Sequence, residues 1–255
     1  MKIVFLGTNG WYTTETGNTP CILINSKDQY VVFDAGNGIY KLDKYITEDK
    51  PISLFISHFH IDHVSGLHTL AKFKFPQGID IYVGPGRLND FNTLVNRPYT
   101  ISIKDEKENI GKLNTEIRIH ELREGENSTG FPVSAYKMFH AYGDHGFRIT
   151  LEDKIIAYSG DTGICPNSFL LAKNANLLIH ESSWAEAPKD DKWGHVDPTE
   201  AAKLAKDANV KMLALTHFDP TKYDTLEKRT EAEEKAKKIF PNTIAARDDM
   251  ILTLS

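Results

Sequence analysis

The chain has 255 residues, 40% of them hydrophobic, and a net charge of −5 with histidine neutral, so it can bury a sizeable core. Lys and Arg are scattered among Asp and Glu, which argues against a nucleic-acid binder relying on a broad basic face. The opening "MKIVFLGTNG" is too short for a signal-peptide core, and no run approaches the ~20 apolar residues of a membrane span.

A cytoplasmic protein is therefore expected, and Cys21 and Cys165, far apart, read as two reduced, packed thiols. With no repeat, low-complexity tract or linker, residues 1–255 are expected to form a single domain.

In chain order, β-branched and aromatic runs bounded by turn residues predict strands at 3–6, 21–25, 30–34, 52–57, 80–83, 117–121, 133–139, 147–151, 155–159, 177–179, 212–216 and 250–253. Several pair as hairpins, as in "ILINSKDQYVVFD" and "GFRITLEDKIIAYS". "VSGLHTLAKF" looks helical. Asp197-Pro198-Thr199-Glu200 has the form of an N-cap, a first-turn proline and a capping-box glutamate, opening a helix with Ala201, Leu204, Ala205 and Ala208 on one face. Residues 225–240 repeat the pattern, with Leu226, Ala232, Ala236 and Ile239 inward and mixed charges facing solvent. Hairpins with inserted helices, then strand–helix alternation, predict layered sheets covered by helices.

The polar chemistry falls at strand ends. Predicted strands run into His58, His140, Asp161, His180-Glu181 and His217, as a site at one rim of a sheet requires. His58 and His60, two apart, point to one side if the backbone is extended, while Asp62 and His63 follow where the chain turns towards a helix. Asp62 taken alone reads first as an N-cap, and Asp161 can be read as a turn residue. Together they suit two adjacent metals, and imidazole with carboxylate matches zinc, manganese or iron. His68, His120 and His145 lack such placement.

The run "HFHIDH", His58 to His63, resembles the H-x-H-x-D-H signature of the metallo-β-lactamase superfamily, with His140, Asp161 in "SGDT" and His217 matching its later metal-binding positions. "FLGT", "SGDT", His180-Glu181-Ser182-Ser183 and Gly194-His195-Val196-Asp197-Pro198 are most similar to its ribonuclease Z-like branch. The resemblance implies an α+β, four-layer αββα sandwich and two divalent ions, zinc first, with manganese or iron as alternatives. One ion would be held by His58, His60 and His140, the other by Asp62, His63 and His217, with Asp161 bridging. It further implies a hydrolase, first a phosphodiesterase, using a metal-bridging hydroxide that Asp62 orients. Glu181 would position His195 to stabilise developing charge and protonate the leaving oxygen.

The alternative is a same-fold hydrolase of a lactone, thioester, sulfate or other ester. Redox di-iron members commonly carry Glu where His60 stands, and the Glu181/His195 pair speaks against a mere metal sensor. In ribonuclease Z proper, a Gly/Pro-rich arm gripping transfer RNA lies between the positions matched by His140 and Asp161. Here that interval reads as a plain hairpin, which argues against transfer RNA and for a small or short single-stranded phosphodiester. Residues 87–113 are the one stretch long enough for a substrate-binding insertion elsewhere. Trp11, Tyr12, Trp184 and Trp193 line the mouth of the site, form a homodimer contact, or simply pack.

Overall fold

The computed structural model describes residues 1–100, 115–188 and 192–254. The first seven-stranded sheet contains β1 (Lys2–Gly7), β2 (Cys21–Asn25), β3 (Tyr30–Phe33), β4 (Ile52–Ile56), β5 (Ile79–Val83) and β6 (Ile117–Glu121). The second runs from β7 (Gly125–Ser128) through β8 (Pro132–Met138), β9 (Asp144–Leu151), β10 (Lys154–Tyr158), β11 (Leu177–Glu181) and β12 (Leu213–Thr216) to β13 (Thr243–Ala245). The last strand, β14 (Met250–Thr253), returns to the first sheet and pairs antiparallel with β1. Each sheet is antiparallel on one side and parallel on the other: β3 to β6 are parallel, as are β10 to β13.

Alternation of side chains explains the layering. In β1 to β3, Ile3, Phe5, Ile22, Ile24, Val31 and Phe33 face the second sheet, while Val4, Leu6, Leu23 and Val32 face an outer helical layer. That layer includes the short helix α1 (Leu42–Tyr45), α2 (Ile61–Val64), the 3₁₀ segment Ser65–Lys72 and α3 (Leu88–Leu94). On the far side, α4 (Pro166–Ala172), α5 (Pro198–Asp207) and α6 (Leu226–Lys237) cover Ala157, Leu178, Leu213 and Leu215. Helix, sheet, sheet, helix is the expected four-layer αββα sandwich.

Four expectations need correction. β7 and β13 were not foreseen; one is polar and the other has three residues, so pairing with a neighbour makes them strands. The short α1, α3 and α4 were also missed. "VSGLHTLAKF" is mostly 3₁₀ rather than α, and the helix before it begins at Ile61 with His60 as N-cap, which puts Asp62 inside its first turn. In α6 the inward face holds Arg229 with Ala232 and Ala236, so one charge of the supposed outer face is fully buried.

α5 follows its sequence cues. Asp197 Oδ1 accepts from Thr199 N and Glu200 N at 2.8 and 3.0 Å, and Glu200 Oε2 accepts from Asp197 N at 3.2 Å. The interval between His140 and Asp161 is the β9–β10 hairpin, turning at Glu152 and Asp153, both at positive φ. Of residues 87–113, 88–94 form α3, and 101–113 lie outside the described residues.

The two sheets meet through aromatic rings. Phe33 stacks on Tyr158 at 4.9 Å and Phe147 at 6.3 Å between centroids, and Phe55 reaches Phe147 at 5.3 Å. Phe33 is fully buried, so Phe33→Ala is expected to lower stability by about 3–5 kcal/mol. Urea unfolding with an unchanged m-value checks this.

Candidate active site

Every predicted ligand sits where a strand ends at one rim. β4 runs into His58, β8 into His140, β10 into Asp161 and β12 into His217. The turn from β4 into α2 carries His60, Asp62 and His63. Ligand atoms of His58, His60, His140 and Asp161 lie within 4.8 Å of one another, as do those of Asp62, His63 and His217, and those of Asp161, His195 and His217. His180 stays out: it is buried, its Nδ1 lies 2.9 Å from Glu181 O, and it belongs to none of these groups.

Support for the imidazoles comes from carboxylates that sequence reasoning did not single out. Asp34, just past β3, accepts from Ser57 N at 2.7 Å, Ser57 Oγ at 2.9 Å, His63 Nδ1 at 2.8 Å and Tyr158 O–H at 2.5 Å. A carboxylate offers only lone pairs, so His63 donates from Nδ1 and turns Nε2 towards the cluster. Asp144, at the start of β9, lies 3.0 Å from His58 Nδ1 and accepts from Asp161 N at 2.6 Å. Gly160 makes room for it: at φ +59°, a Cβ there would lie 2.4 Å from Asp144 Oδ1. Gly10 does the same for His217, whose Cε1 would lie 2.6 Å from an added Cβ. Asp34 had a usable signal, since it too follows a strand; Asp144 and Gly10 had none.

Burial, followed by repulsion from a neighbouring imidazole, pushes His58 and His60 down to about 4. Burial pushes His140 down to about 3 against the pull of Asp161. All three are neutral near pH 7, the form that ligates metals. Burial also opposes charge on His63 and His217, but Asp161 and Asp62 outweigh it and raise both. Burial would raise Asp62 and Asp161, yet His63 and His217 hold both below the usual carboxylate range. His58 Nε2, both nitrogens of His140 and Asp161 Oδ1 are buried without a hydrogen-bond partner. Such atoms are costly unless something coordinates them, so the donor set fits divalent cations.

Beside the cluster, Glu181 Oε1 lies 2.7 Å from His195 Nδ1 and accepts from Thr162 N at 2.9 Å, while Oε2 accepts from Ser183 N at 2.9 Å. Glu181 is fully buried, and the His195 ring is 5.4 Å from that of His140 and 5.9 Å from that of His217. A cavity of about 650 Å³ opens over these groups. Trp11, Trp184 and Trp193 line it, and Tyr12 packs edge-on against Trp11 at 5.1 Å.

Residues 29–218 match the beta-lactamase superfamily domain. A ribonuclease Z of Archaeoglobus fulgidus is 28% identical, with 100% of this chain and 98% of the relative covered. A ribonuclease Z of Ligilactobacillus salivarius is 30% identical over 97% and 95%. Both alignments are longer than this chain, so the relatives carry residues with no counterpart here. Among solved structures, the short form of human tRNase Z is 26% identical, with a TM-score of 0.76 over 100% of both chains. The chain belongs to the metallo-β-lactamase superfamily, in its ribonuclease Z-like branch.

Proposed function

We propose that this site binds two divalent cations and hydrolyses a phosphodiester. One observation carries the reading. Asp161 Oδ1 lies 3.3 Å from His63 Nε2 and 3.2 Å from His217 Nε2, while Oδ2 lies 3.8 Å from His58 Nε2. A single carboxylate thus turns one oxygen to each histidine group, as a bridging ligand would. His58, His60 and His140 would hold one ion, Asp62, His63 and His217 the other, and Asp161 both. Imidazole with carboxylate suits zinc first, then manganese or iron. The relatives' names, ribonuclease Z and tRNase Z, support a phosphodiester as the bond cut.

When bound, such a pair of ions acidifies water and polarises phosphoryl oxygens. The chain's own groups do the rest. Asp62 Oδ2 accepts from Trp11 N at 2.7 Å and lies 3.3 Å from His217 Nε2, which fixes the carboxylate for ligation and for orienting the attacking water. Glu181 fixes the His195 ring through its contact with Nδ1. His195 then donates a proton or hydrogen bond to the oxygen on which charge develops, the leaving oxygen included.

The substrate we assign is a small or short single-stranded phosphodiester. The short β9–β10 hairpin offers no arm for transfer RNA, and among the described residues no Lys or Arg lines the cavity. Cys21 and Cys165 are unpaired, which suits a reducing cytoplasm, and no described helix is long and apolar enough to cross a membrane.

Three variants test this reading. Asp161→Ala should lose bound metal, measured by elemental analysis after dialysis; two retained ions would refute the bridging role. Asp34→Asn keeps the shape but loses the charge that holds His63, and should weaken metal affinity about 10- to 100-fold in a competition titration with a chelator. His195→Ala should keep two ions while bis-p-nitrophenyl phosphate turnover falls about 10²-fold or more. Wild-type turnover would remove His195 from the mechanism, and loss of an ion would make it a ligand instead.

A further inference from the structure

The aromatic rim of the cavity has a chemistry of its own. Trp11 is 67% exposed, yet its backbone sits at φ +62°, a region that disfavours residues with a Cβ. The bond from its N–H to Asp62 Oδ2 holds it there. Trp193, 53% exposed, lines the same cavity. Its ring lies 6.0 Å from Tyr142, which in turn lies 5.2 Å from His60. Ile61, exposed on the same rim, extends the apolar surface. Large apolar side chains left uncovered together, one of them on a disfavoured backbone, mark a binding surface rather than packing.

Charge narrows what can bind. Among the described residues the cavity wall carries, besides Asp62 and Asp161 of the cluster, the carboxylate of Asp219 and no Lys or Arg. A strand with several phosphates needs cationic partners, whereas a flat uncharged ring needs only a face to stack on. About 650 Å³ falls within the range of cavities that hold a small organic ligand.

We infer that the substrate is a monophosphodiester carrying one planar aromatic group on the side that is not expelled, which stacks on Trp11 and Trp193 while its single phosphate reaches the histidine cluster. This rests on the phosphodiesterase reading above and adds the substrate class. Asp219 disfavours a second phosphate at the mouth. Trp11 is thereby a specificity residue, coupled through its own N–H to Asp62.

The test keeps the leaving group constant. The full-length, metal-loaded protein is assayed on p-nitrophenyl phosphate esters whose other substituent is methyl, phenyl, 5′-thymidyl or a thymidine trinucleotide. The phenyl and thymidyl esters should exceed the methyl ester in kcat/KM by about tenfold or more, mainly through KM. Trp11→Ala should bring that ratio close to one and Trp11→Phe should retain it. Because the readout is a ratio within one preparation, a partly misfolded variant does not distort it. Preference for thymidyl over phenyl would identify the ring as a nucleobase, and equal rates would identify any aryl group; both support the inference.

Equal kcat/KM for methyl and aromatic esters would overturn it. So would an aromatic preference that survives both Trp11→Ala and Trp193→Ala, or a trinucleotide ester preferred over the thymidyl ester. Failure of the underlying phosphodiesterase reading looks different: no metal-dependent p-nitrophenolate release from any ester.

Discussion

The carboxylate of Asp34 is the point on which the site depends. It is fully buried, sits at φ +58°, and gathers donors from the end of β4, from α2 and from β10 of the opposite sheet. Each contact sets something further along the chain. Ser57 precedes His58, so fixing its N–H and hydroxyl fixes the start of the histidine run. His63 is oriented directly. Tyr158 ends β10, and its bond across the sandwich anchors the strand that delivers Gly160 and Asp161. One residue in a disfavoured conformation costs of order 1–3 kcal/mol, which several charge-assisted hydrogen bonds can offset. A half-satisfied buried carboxylate would be worse than none, so these contacts stand or fall together.

The same logic explains why the cluster calls for cations. Asp34, Asp62, Asp144 and Asp161 are crowded at one rim, and their ion-pair contacts among the described residues are all with histidines. Three of the five surrounding imidazoles, His58, His60 and His140, are held neutral near pH 7 by burial. Asp144 shows the strain: burial, then Asp161, pushes its carboxyl well above the usual range. Buried carboxylates without enough opposing charge are strongly disfavoured. Asp161 and Asp62 favour protons on His63 and His217, and divalent ions would supply more charge by replacing protons at the same atoms.

What the sequence revealed and what it hid differ in range. The spacing of His58, His60, Asp62 and His63 is local, and alternation along a strand with a turn into a helix makes two ligand directions visible without coordinates. His140, Asp161 and His217 were found because each follows an apolar run, a local cue repeated along the chain. Sheet order was less legible, since β7 and β13 take their strand character from partners. Asp34 and Asp144 act through partners on other strands; Asp34 shares the strand-end cue, whereas nothing beside Asp144 in the chain betrays its role. Arg229 misled for the opposite reason: it stands among charges that do face solvent, and its burial is decided by what the amino-terminal loop places beneath it.

That loop joins the mouth of the cavity to the ligands below. Arg229 donates to Thr8 Oγ1 at 2.8 Å, to Asn9 Oδ1, and to Thr16 Oγ1 at 3.1 Å, and lies 4.8 Å over the Phe218 ring. Phe218 follows His217, and its backbone exchanges bonds with the same loop: Phe218 N donates to Thr8 O at 3.0 Å and Gly10 N to Phe218 O at 2.9 Å. The loop segment that carries Trp11 is therefore clamped by α6 on one side and by the end of β12 on the other. A group pressing on Trp11 presses on Asp62 through one hydrogen bond and, through two backbone bonds, on Phe218, the residue after His217. The rim and the histidine cluster are thus parts of a single packed unit, and altering that loop should alter both.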